Sequence, residues 1–440
     1  MTAKFVTKHD LQEIWTYKRL ESLCHIVDPR DVNIEATILA LKRDLPRTLF
    51  ILVTIHWKGW DRSRKIFFDT RYAPANERVD KNIKTYRLDQ LARKDFLASE
   101  RVAQCFLSSR DAFFPIGIRE GMNKSYDSNR RLPLIQPPDI GRSILGDGAS
   151  GSVTEETIAF GQYSRKKPPT DNETSREKNF LAKNAAGNFE KEKKILALLQ
   201  TALSKHDRVV PFLAIISIGN DHNIFSDLAR MNLDSFLNGE WSKFANQVNR
   251  MFLFTELTGI ADALRTLHQG LYIPRNDHPN SDITGRVLLC HMDLKPENIL
   301  IYKHCDHPFG LWKISDFDIS KVKESREEST TDEQLDSSKR TGRHSSTYTA
   351  PEFDSSPKDV GRKSDVWSLG CIIVLVCALA QGADIYNELA SKRGKLLDQG
   401  VYDDENGDRF YHKLADGSII LDPQAVNWTQ ALLQNTHSNA

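Results

Sequence analysis

The feature that most constrains this chain is the run LLCHMDLKPENILI at residues 288–301. A histidine, an aspartate, a lysine and an asparagine lie within it, between two apolar flanks. The flanks predict two short strands that hold a polar loop rigid. Six of these residues, DLKPEN, are expected by chance on the order of once in a hundred thousand chains of this length. A rigid loop with charges of both signs predicts a catalytic site.

Three more motifs follow in order, and a glycine-rich run precedes them. They are KISDFDIS with Asp316, TYTAPEF with Glu352, SDVWSLGC with Asp365, and ILGDGASGSV with its G-x-G-x-x-G spacing. Together these motifs resemble the eukaryotic protein kinase family of serine/threonine type, over about residues 138–432. A looser resemblance is to kinase-like proteins of filamentous fungi.

The resemblance implies a bilobal α+β fold with a small β-rich N-lobe at residues 138–229 and a helical C-lobe at 230–440. An additional N-terminal region at 1–130 precedes the kinase domain, which spans 138–440. The function of this N-terminal region is open. We expect a helical or mixed module that packs on its neighbour and is a candidate for binding an unknown partner. The expected partner of Glu352, an arginine in a later helix, is not apparent in the sequence. Either the C-lobe closes differently, or it is a shortened version.

The catalytic roles follow from the resemblance. Asp293 would accept or orient the proton of the substrate hydroxyl, and Lys295 would neutralise the transferring phosphoryl group. Asn298 and Asp316 would hold Mg²⁺. These assignments agree with the chemistry, because phosphoryl transfer needs positioned charges more than covalent help.

The glycine-rich run and two charged residues after it predict the ATP site. Glycines let backbone N–H groups approach phosphate oxygens, although a glycine-rich hairpin turn is an alternative. A Rossmann site would need a helix directly after the glycines, whereas SVTEETIAF resembles a strand. Lys183 in FLAK and Glu192 in NFEKEKKIL would form the ion pair that places a lysine beside the phosphates. A surface lysine and a charge on a solvated helix are the alternative. The implied nucleotide contacts are Gly146, Gly148, Gly151, Val153, Lys183, Asp227 and Ala229.

Several departures from the family pattern keep a second function open. Met292 replaces an arginine that would pair with a phosphorylated residue, and methionine has neither charge nor donor. Asp318 replaces the glycine of D-F-G, and Leu181 a small alanine. An active serine/threonine kinase is favoured, with a pseudokinase scaffold as the alternative. A small-molecule kinase is disfavoured by the APE and DVWSLGC matches.

Local patterns predict the remaining elements. Residues 11–26 and 252–267 have helical apolar spacing, and the apolar run 368–383 predicts a buried helix, being too short for a membrane span. TLFILVTIHW at 48–57 predicts a strand, and KIFF at 65–68 a hairpin partner. The polar, proline-bearing segment 123–138 predicts a linker.

Composition limits the partners. Lys plus Arg (60) and Asp plus Glu (59) nearly cancel, which predicts neither nucleic-acid binding nor attraction to an anionic membrane. The six scattered cysteines predict reduced thiols and an intracellular, cytoplasmic protein. His304, Cys305 and His307 form a possible metal cluster. A polar loop between strands is favoured there, because a fourth ligand is not obvious.

Overall fold

A computed structural model gives the fold of the chain. It describes residues 6, 8–27, 33–62, 80, 87–93, 97–135, 143–148, 151–159, 162–165, 178–185, 189–202, 206–243, 249–273, 285–307, 309–325, 347–355, 361–398, 410–413 and 419–421. They belong to two compact units. The first comprises residues 1–184 and 213–225, and the second 185–212 and 226–440. Both contain helices and strands, which confirms the predicted α+β class.

The N-terminal part of the first unit is helical. Its helices are Lys8–Ile14, Tyr17–Val27, Ile34–Asp44, Pro46–Thr54, Leu88–Leu91 and Glu100–Phe113, with a 3₁₀ turn at Trp60–Arg62. Leu20, Ile38, Leu52 and Phe106 are fully buried in a common apolar core. The helix predicted at residues 11–26 is confirmed, although it is divided in two near Trp15.

The strand predicted at 48–57 is wrong, because this segment belongs to the helix Pro46–Thr54. The proline is in the first helical turn, where its missing N–H costs nothing. The Asp80 carboxylate accepts hydrogen bonds from the backbone N–H groups of Arg47 (2.6 Å) and Thr48 (2.9 Å), so a residue far along the chain caps the helix. Tertiary contacts therefore override the strand propensity of the β-branched residues. The KIFF segment lies outside the described residues.

Most of the described strands of the first unit belong to a seven-stranded sheet. Its order is Met122–Tyr126, Phe212–Ile218, Asp221–Asp227, Lys178–Ala185, Gly151–Ile158 and Leu134–Ile135, with Ser143–Gly148 also paired to Gly151–Ile158. A separate two-stranded pair joins Ile118–Arg119 to Tyr163–Ser164.

The linker predicted at residues 123–138 is wrong where the structure describes it. Met122–Tyr126 adds a parallel strand beside Phe212–Ile218, and Leu134–Ile135 pairs with the end of Gly151–Ile158. An edge strand is held by main-chain hydrogen bonds and keeps polar side chains in solvent, as the exposed Asn123, Lys124 and Ser125 do. Its composition therefore resembles that of a linker. The division of the chain at residues 130–138 stays a prediction.

The second unit is dominated by helices. These are Phe189–Ala202, Leu233–Leu237, Arg250–Gln269, Glu352–Ser355, Arg362–Gln381 and Ala383–Asp398, with 3₁₀ turns at Glu240–Lys243 and Pro296–Asn298. One antiparallel sheet has the order Met231–Asn232, Ile299–Tyr302 and Leu311–Ile314. A second has the order Leu271–Ile273, Gly285–Cys290 and Lys321–Ser325, and Tyr411–Lys413 pairs with Ile419–Leu421.

Two predicted helices of this unit are confirmed. Arg250–Gln269 contains the segment 252–267, and Arg362–Gln381 contains most of the apolar run. By length and composition alone the second is apolar enough to cross a membrane. Most of it is nevertheless buried within the protein, with Ile372, Val376 and Ala378 fully buried, as in a core helix.

Candidate active site

Paired strands hold both ends of the polar loop at residues 291–298. Gly285–Cys290 leads into the loop and pairs with Lys321–Ser325. Ile299–Tyr302 leads out of it and pairs with Leu311–Ile314. The prediction of flanking strands is therefore confirmed, and the loop is fixed by main-chain hydrogen bonds that do not use its polar side chains.

Two predicted catalytic residues and one predicted Mg²⁺ ligand lie together in this loop. Lys295 Nζ is 3.5 Å from Asp293 Oδ2, and both side chains retain some solvent exposure. The Asn298 side-chain amide donates to the Asp293 carbonyl at 2.8 Å, and the Asn298 N–H donates to the Lys295 carbonyl at 3.0 Å. The amide nitrogen is thus engaged, which leaves the Asn298 side-chain oxygen as the atom suited to a hard cation such as Mg²⁺.

The Asp316 segment is hydrogen-bonded to the same loop. Ser315 donates to the Asn298 carbonyl through both its N–H and its hydroxyl, each at 2.9 Å. His291 Nε2 donates to the Ser315 carbonyl at 2.8 Å, and the buried Phe317 ring packs edge-on against His291. Asp316, the second predicted Mg²⁺ ligand, therefore lies between two residues that contact the catalytic loop.

A buried carboxylate fixes the entrance of the loop. Asp365, near the start of the helix Arg362–Gln381, accepts hydrogen bonds from the N–H groups of His291 and Met292, both at 2.7 Å. His268 Nε2 is 2.8 Å from the same carboxylate. These contacts anchor the backbone at the start of the loop to the helix Arg362–Gln381. The additional contact between His268 and Asp365 is not indicated by any pattern in the sequence.

Two non-glycine residues of the site have left-handed backbone conformations. Met292 has φ 69° and Asp316 has φ 63°. Such conformations cost roughly 1–3 kcal/mol each and persist only where surrounding contacts impose them. The hydrogen bonds to Asp365 and from Ser315 provide those contacts, and strain of this kind is concentrated at active sites.

Asp318, which replaces the glycine of D-F-G, contributes to the electrostatic environment of Lys191. Burial lowers the pKa of Lys191, whereas the nearby Asp318 carboxylate raises it and Lys321 lowers it. Lys191 belongs to the helix Phe189–Ala202, next to the buried Glu192. Asp318 is half-buried, so its carboxylate is not fully solvated.

Four of the predicted nucleotide-contacting residues lie in one hairpin, a geometry that fits both a phosphate-binding loop and the alternative of a glycine-rich turn. Gly148 pairs with Gly151, and Gly146 with Val153, in an antiparallel hairpin. Gly151 has φ 114°, a conformation that favours glycine. The strand Gly151–Ile158 follows the glycines directly, so the helix that a Rossmann site requires is not there.

The structure describes the other residues predicted to contact the nucleotide only in part. Lys183 lies on the strand Lys178–Ala185, but its side chain is outside the described residues, so its ion pair with Glu192 stays a prediction. The Asp227 carbonyl accepts a hydrogen bond from the Tyr302 hydroxyl at 3.2 Å, and Ala229 follows, half-buried. Their contacts with a nucleotide also stay predictions.

Comparison with known proteins identifies the family. A family model described as "Protein kinase domain" matches residues 141–399. The human "Mitogen-activated protein kinase kinase kinase 6" is 27% identical over 200 residues, which cover 45% of this chain and 13% of that protein. "Mitogen-activated protein kinase mpkC" of Emericella nidulans is 26% identical over 274 residues, covering 61% of this chain and 51% of that protein.

A third relative is similar over a shorter stretch. "CBL-interacting serine/threonine-protein kinase 15" of Arabidopsis thaliana is 39% identical over 90 residues, covering 20% of this chain and 18% of that protein. The matches thus span about half or less of each relative. The family model covers more than half of this chain and its matched range includes the catalytic loop and the Asp316 segment, so the chain belongs to the protein kinase family.

Proposed function

We propose that this protein is an active serine/threonine kinase that transfers the γ-phosphate of ATP to protein hydroxyls. The observation that supports the proposal best is the geometry of the catalytic loop. Asp293, Lys295 and Asn298 share one turn, and the segment of Asp316 is hydrogen-bonded to the Asn298 carbonyl. An acid, a cation and two oxygen-bearing side chains are the groups that phosphoryl transfer uses.

In the proposed reaction, the Asp293 carboxylate orients the attacking hydroxyl of the substrate and accepts its proton. The proton leaves the hydroxyl as its oxygen forms a bond to the γ-phosphorus and the bond to the β-phosphate oxygen breaks. Lys295, whose ammonium is 3.5 Å from Asp293, balances charge on the transferring group. Mg²⁺ held by Asn298 and Asp316 would neutralise the triphosphate.

Serine/threonine specificity is supported by Lys295 within DLKPEN and by the similarity to a CBL-interacting serine/threonine-protein kinase. The proposal extends to an intracellular, cytoplasmic protein whose N-terminal helices bind a further partner.

A second candidate function is a pseudokinase that binds nucleotide as a scaffold, with weak or no transfer. The half-buried Asp318 favours it, because a charged residue replaces the glycine two residues after Asp316. A residue with a Cβ restricts the backbone of a segment that glycine would leave free.

Phosphotransfer by the purified chain separates these candidates. The chain is incubated with Mg²⁺, γ-labelled ATP and a generic basic substrate, and the labelled amino acids are identified. Phosphoserine or phosphothreonine that is lost in Asp293→Asn supports the proposal, whereas phosphotyrosine alone contradicts the specificity. Magnesium-dependent ATP binding without transfer supports the scaffold. If ATP does not bind at all, both functions are wrong.

A further inference from the structure

The loop between the strands Ile299–Tyr302 and Leu311–Ile314 brings three chemically different metal ligands together. One ligand atom from each of His304, Cys305 and Asp306 lies within 4.8 Å of the others. Cys305 Sγ is 3.3 Å from Asp306 Oδ2, and His304 Nδ1 is 3.9 Å from the same oxygen. All three side chains are exposed, so they have no role in a packed core.

A second histidine, His307, lies beside this group, and a buried carboxylate fixes its orientation. The rings of His304 and His307 are 4.7 Å apart between centroids. His307 Nδ1 is 2.5 Å from Oε1 of the buried Glu256. A carboxylate that accepts from one ring nitrogen fixes the tautomer, so that the other nitrogen, Nε2, carries the lone pair. Carboxylate–histidine pairs of this kind orient imidazoles at metal centres.

The carboxylate behind His307 is itself rigid. Glu256 Oε2 accepts from the Trp312 backbone N–H at 2.8 Å and forms an ion pair with Arg208. Glu256 lies on the helix Arg250–Gln269, so the loop is fastened to a long element rather than to another loop. A preorganised second shell favours binding because less of the site has to be ordered when the ion arrives.

We propose that His304, Cys305 and Asp306, which already lie together, and His307, which lies beside that group, form a site for a divalent transition-metal cation of the Zn²⁺ type. Imidazole and thiolate ligands select such ions over Mg²⁺ or Ca²⁺, which prefer oxygen ligands. The cation bonds to the sulfur as the Cys305 thiol loses its proton to solvent, and the total charge is conserved. The site uses no residue of the catalytic loop and is independent of the proposed kinase activity.

His304 has to change one contact to act as a ligand. Its Nδ1 now accepts a 3.2 Å hydrogen bond from the Asp306 backbone N–H. This bond is long and its loss is a small cost beside a metal–imidazole bond. We therefore expect the loop backbone at Asp306 to shift locally when the cation binds, while His307 stays fixed by Glu256.

Zinc titration of the full chain, freed of metal by a chelator, tests the site. The variants are Cys305→Ser and His304→Ala, because replacing His307 would also disturb the buried Glu256. Cys105→Ser is the matched control, since Cys105 is also an exposed free cysteine. We expect one Zn²⁺ to bind the native chain and the control equally, and to bind each site variant at least about tenfold more weakly.

Thiol protection gives a second readout that does not depend on catalysis. Zn²⁺ should slow alkylation of Cys305 but not of Cys105, and Mg²⁺ should slow neither, as followed by mass spectrometry of the two peptides. Equal zinc affinity in the native chain and both site variants, or equal alkylation of Cys305 with and without Zn²⁺, would overturn the proposal. The loop would then be a polar connection that Glu256 holds in place.

Discussion

The carboxylate of Asp365 accepts a 2.7 Å hydrogen bond from the backbone N–H of His291, 74 residues earlier in the chain. Its other oxygen accepts from Met292, so one buried side chain holds two successive peptide groups. The apolar helix Arg362–Gln381 thereby fixes the start of the catalytic loop. The helix supplies stability, and the loop that it positions supplies the chemistry.

Asp365→Asn should destabilise the protein and impair transfer more than nucleotide binding. The two oxygens of Asp365 each accept from one backbone N–H group, but asparagine has only one side-chain oxygen. Its NH₂ group would then face the second N–H, which is also a donor. We expect a loss of about 2–3 kcal/mol in the free energy of unfolding, measured by urea denaturation. Asp384→Asn is the control, because Asp384 is exposed in the first turn of the helix Ala383–Asp398. Equal urea midpoints for the two variants would contradict this role.

Replacing either of two helical glycines with alanine should change the stability of the protein, in opposite directions at the two positions. A Cβ at Gly259 would lie 2.6 Å from Arg208 Cζ, and Arg208 is held by the buried Glu256. Gly259→Ala should therefore cost about 1–3 kcal/mol through overpacking. At Gly370 a Cβ meets none of the described atoms within 4 Å, so Gly370→Ala should stabilise the helix by roughly 0.5–1 kcal/mol. Thermal unfolding checks both, and shifts of the same sign would count against the packing described.

Cys290 should resist alkylation in the native chain. Burial, followed by the nearby Asp365 carboxylate, raises the pKa of this thiol from 9.0 to about 12. Because the folded-state pKa is raised, its contribution to stability is fully present below pH 9 and is lost as the pH rises toward 12. With iodoacetamide and a chelator, mass spectrometry should show Cys105 and Cys305 modified before Cys290. Similar rates for all three would show that Cys290 is accessible.

Met292 should make activity independent of phosphorylation in the segment after Asp316. Its side chain carries no charge, and its sulfur lies 4.0 Å from the Ser364 hydroxyl at the start of a helix. Phosphatase treatment should leave the transfer rate of the native chain unchanged, whereas Met292→Arg should make the rate depend on phosphorylation. The rate before and after phosphatase is the measurement. A native enzyme inactivated by phosphatase, or a variant that does not respond to it, would contradict this expectation.

The catalytic loop could be predicted from sequence because its chemistry is local. Asp293, Lys295 and Asn298 lie within six residues, and the apolar flanks define the strands around them. The buried Glu256–Arg208 pair could not be predicted, since its members are 48 residues apart and each resembles a surface charge in the sequence. Asp80 illustrates the same limit, because a helix cap 32 residues distant from Thr48 has no local pattern.

An edge strand and a helix rich in β-branched residues are the two elements whose type is predicted wrongly from the sequence. The strand Met122–Tyr126 is stabilised by main-chain pairing that leaves its polar residues in solvent, so its sequence resembles a linker. The helix Pro46–Thr54 has the composition of a strand, and only its neighbours and its distant cap make it helical. In both, the deciding interactions are non-local.

The most direct test of the account is the rate of phosphate transfer by Asp293→Asn, measured together with its affinity for ATP and Mg²⁺. Asparagine cannot accept the hydroxyl proton, so we predict that kcat falls by about 10²–10⁴-fold while the ATP dissociation constant stays unchanged. Asp384→Asn should match the native rate. A native rate in Asp293→Asn would contradict the central claim that this carboxylate carries the chemistry of the site.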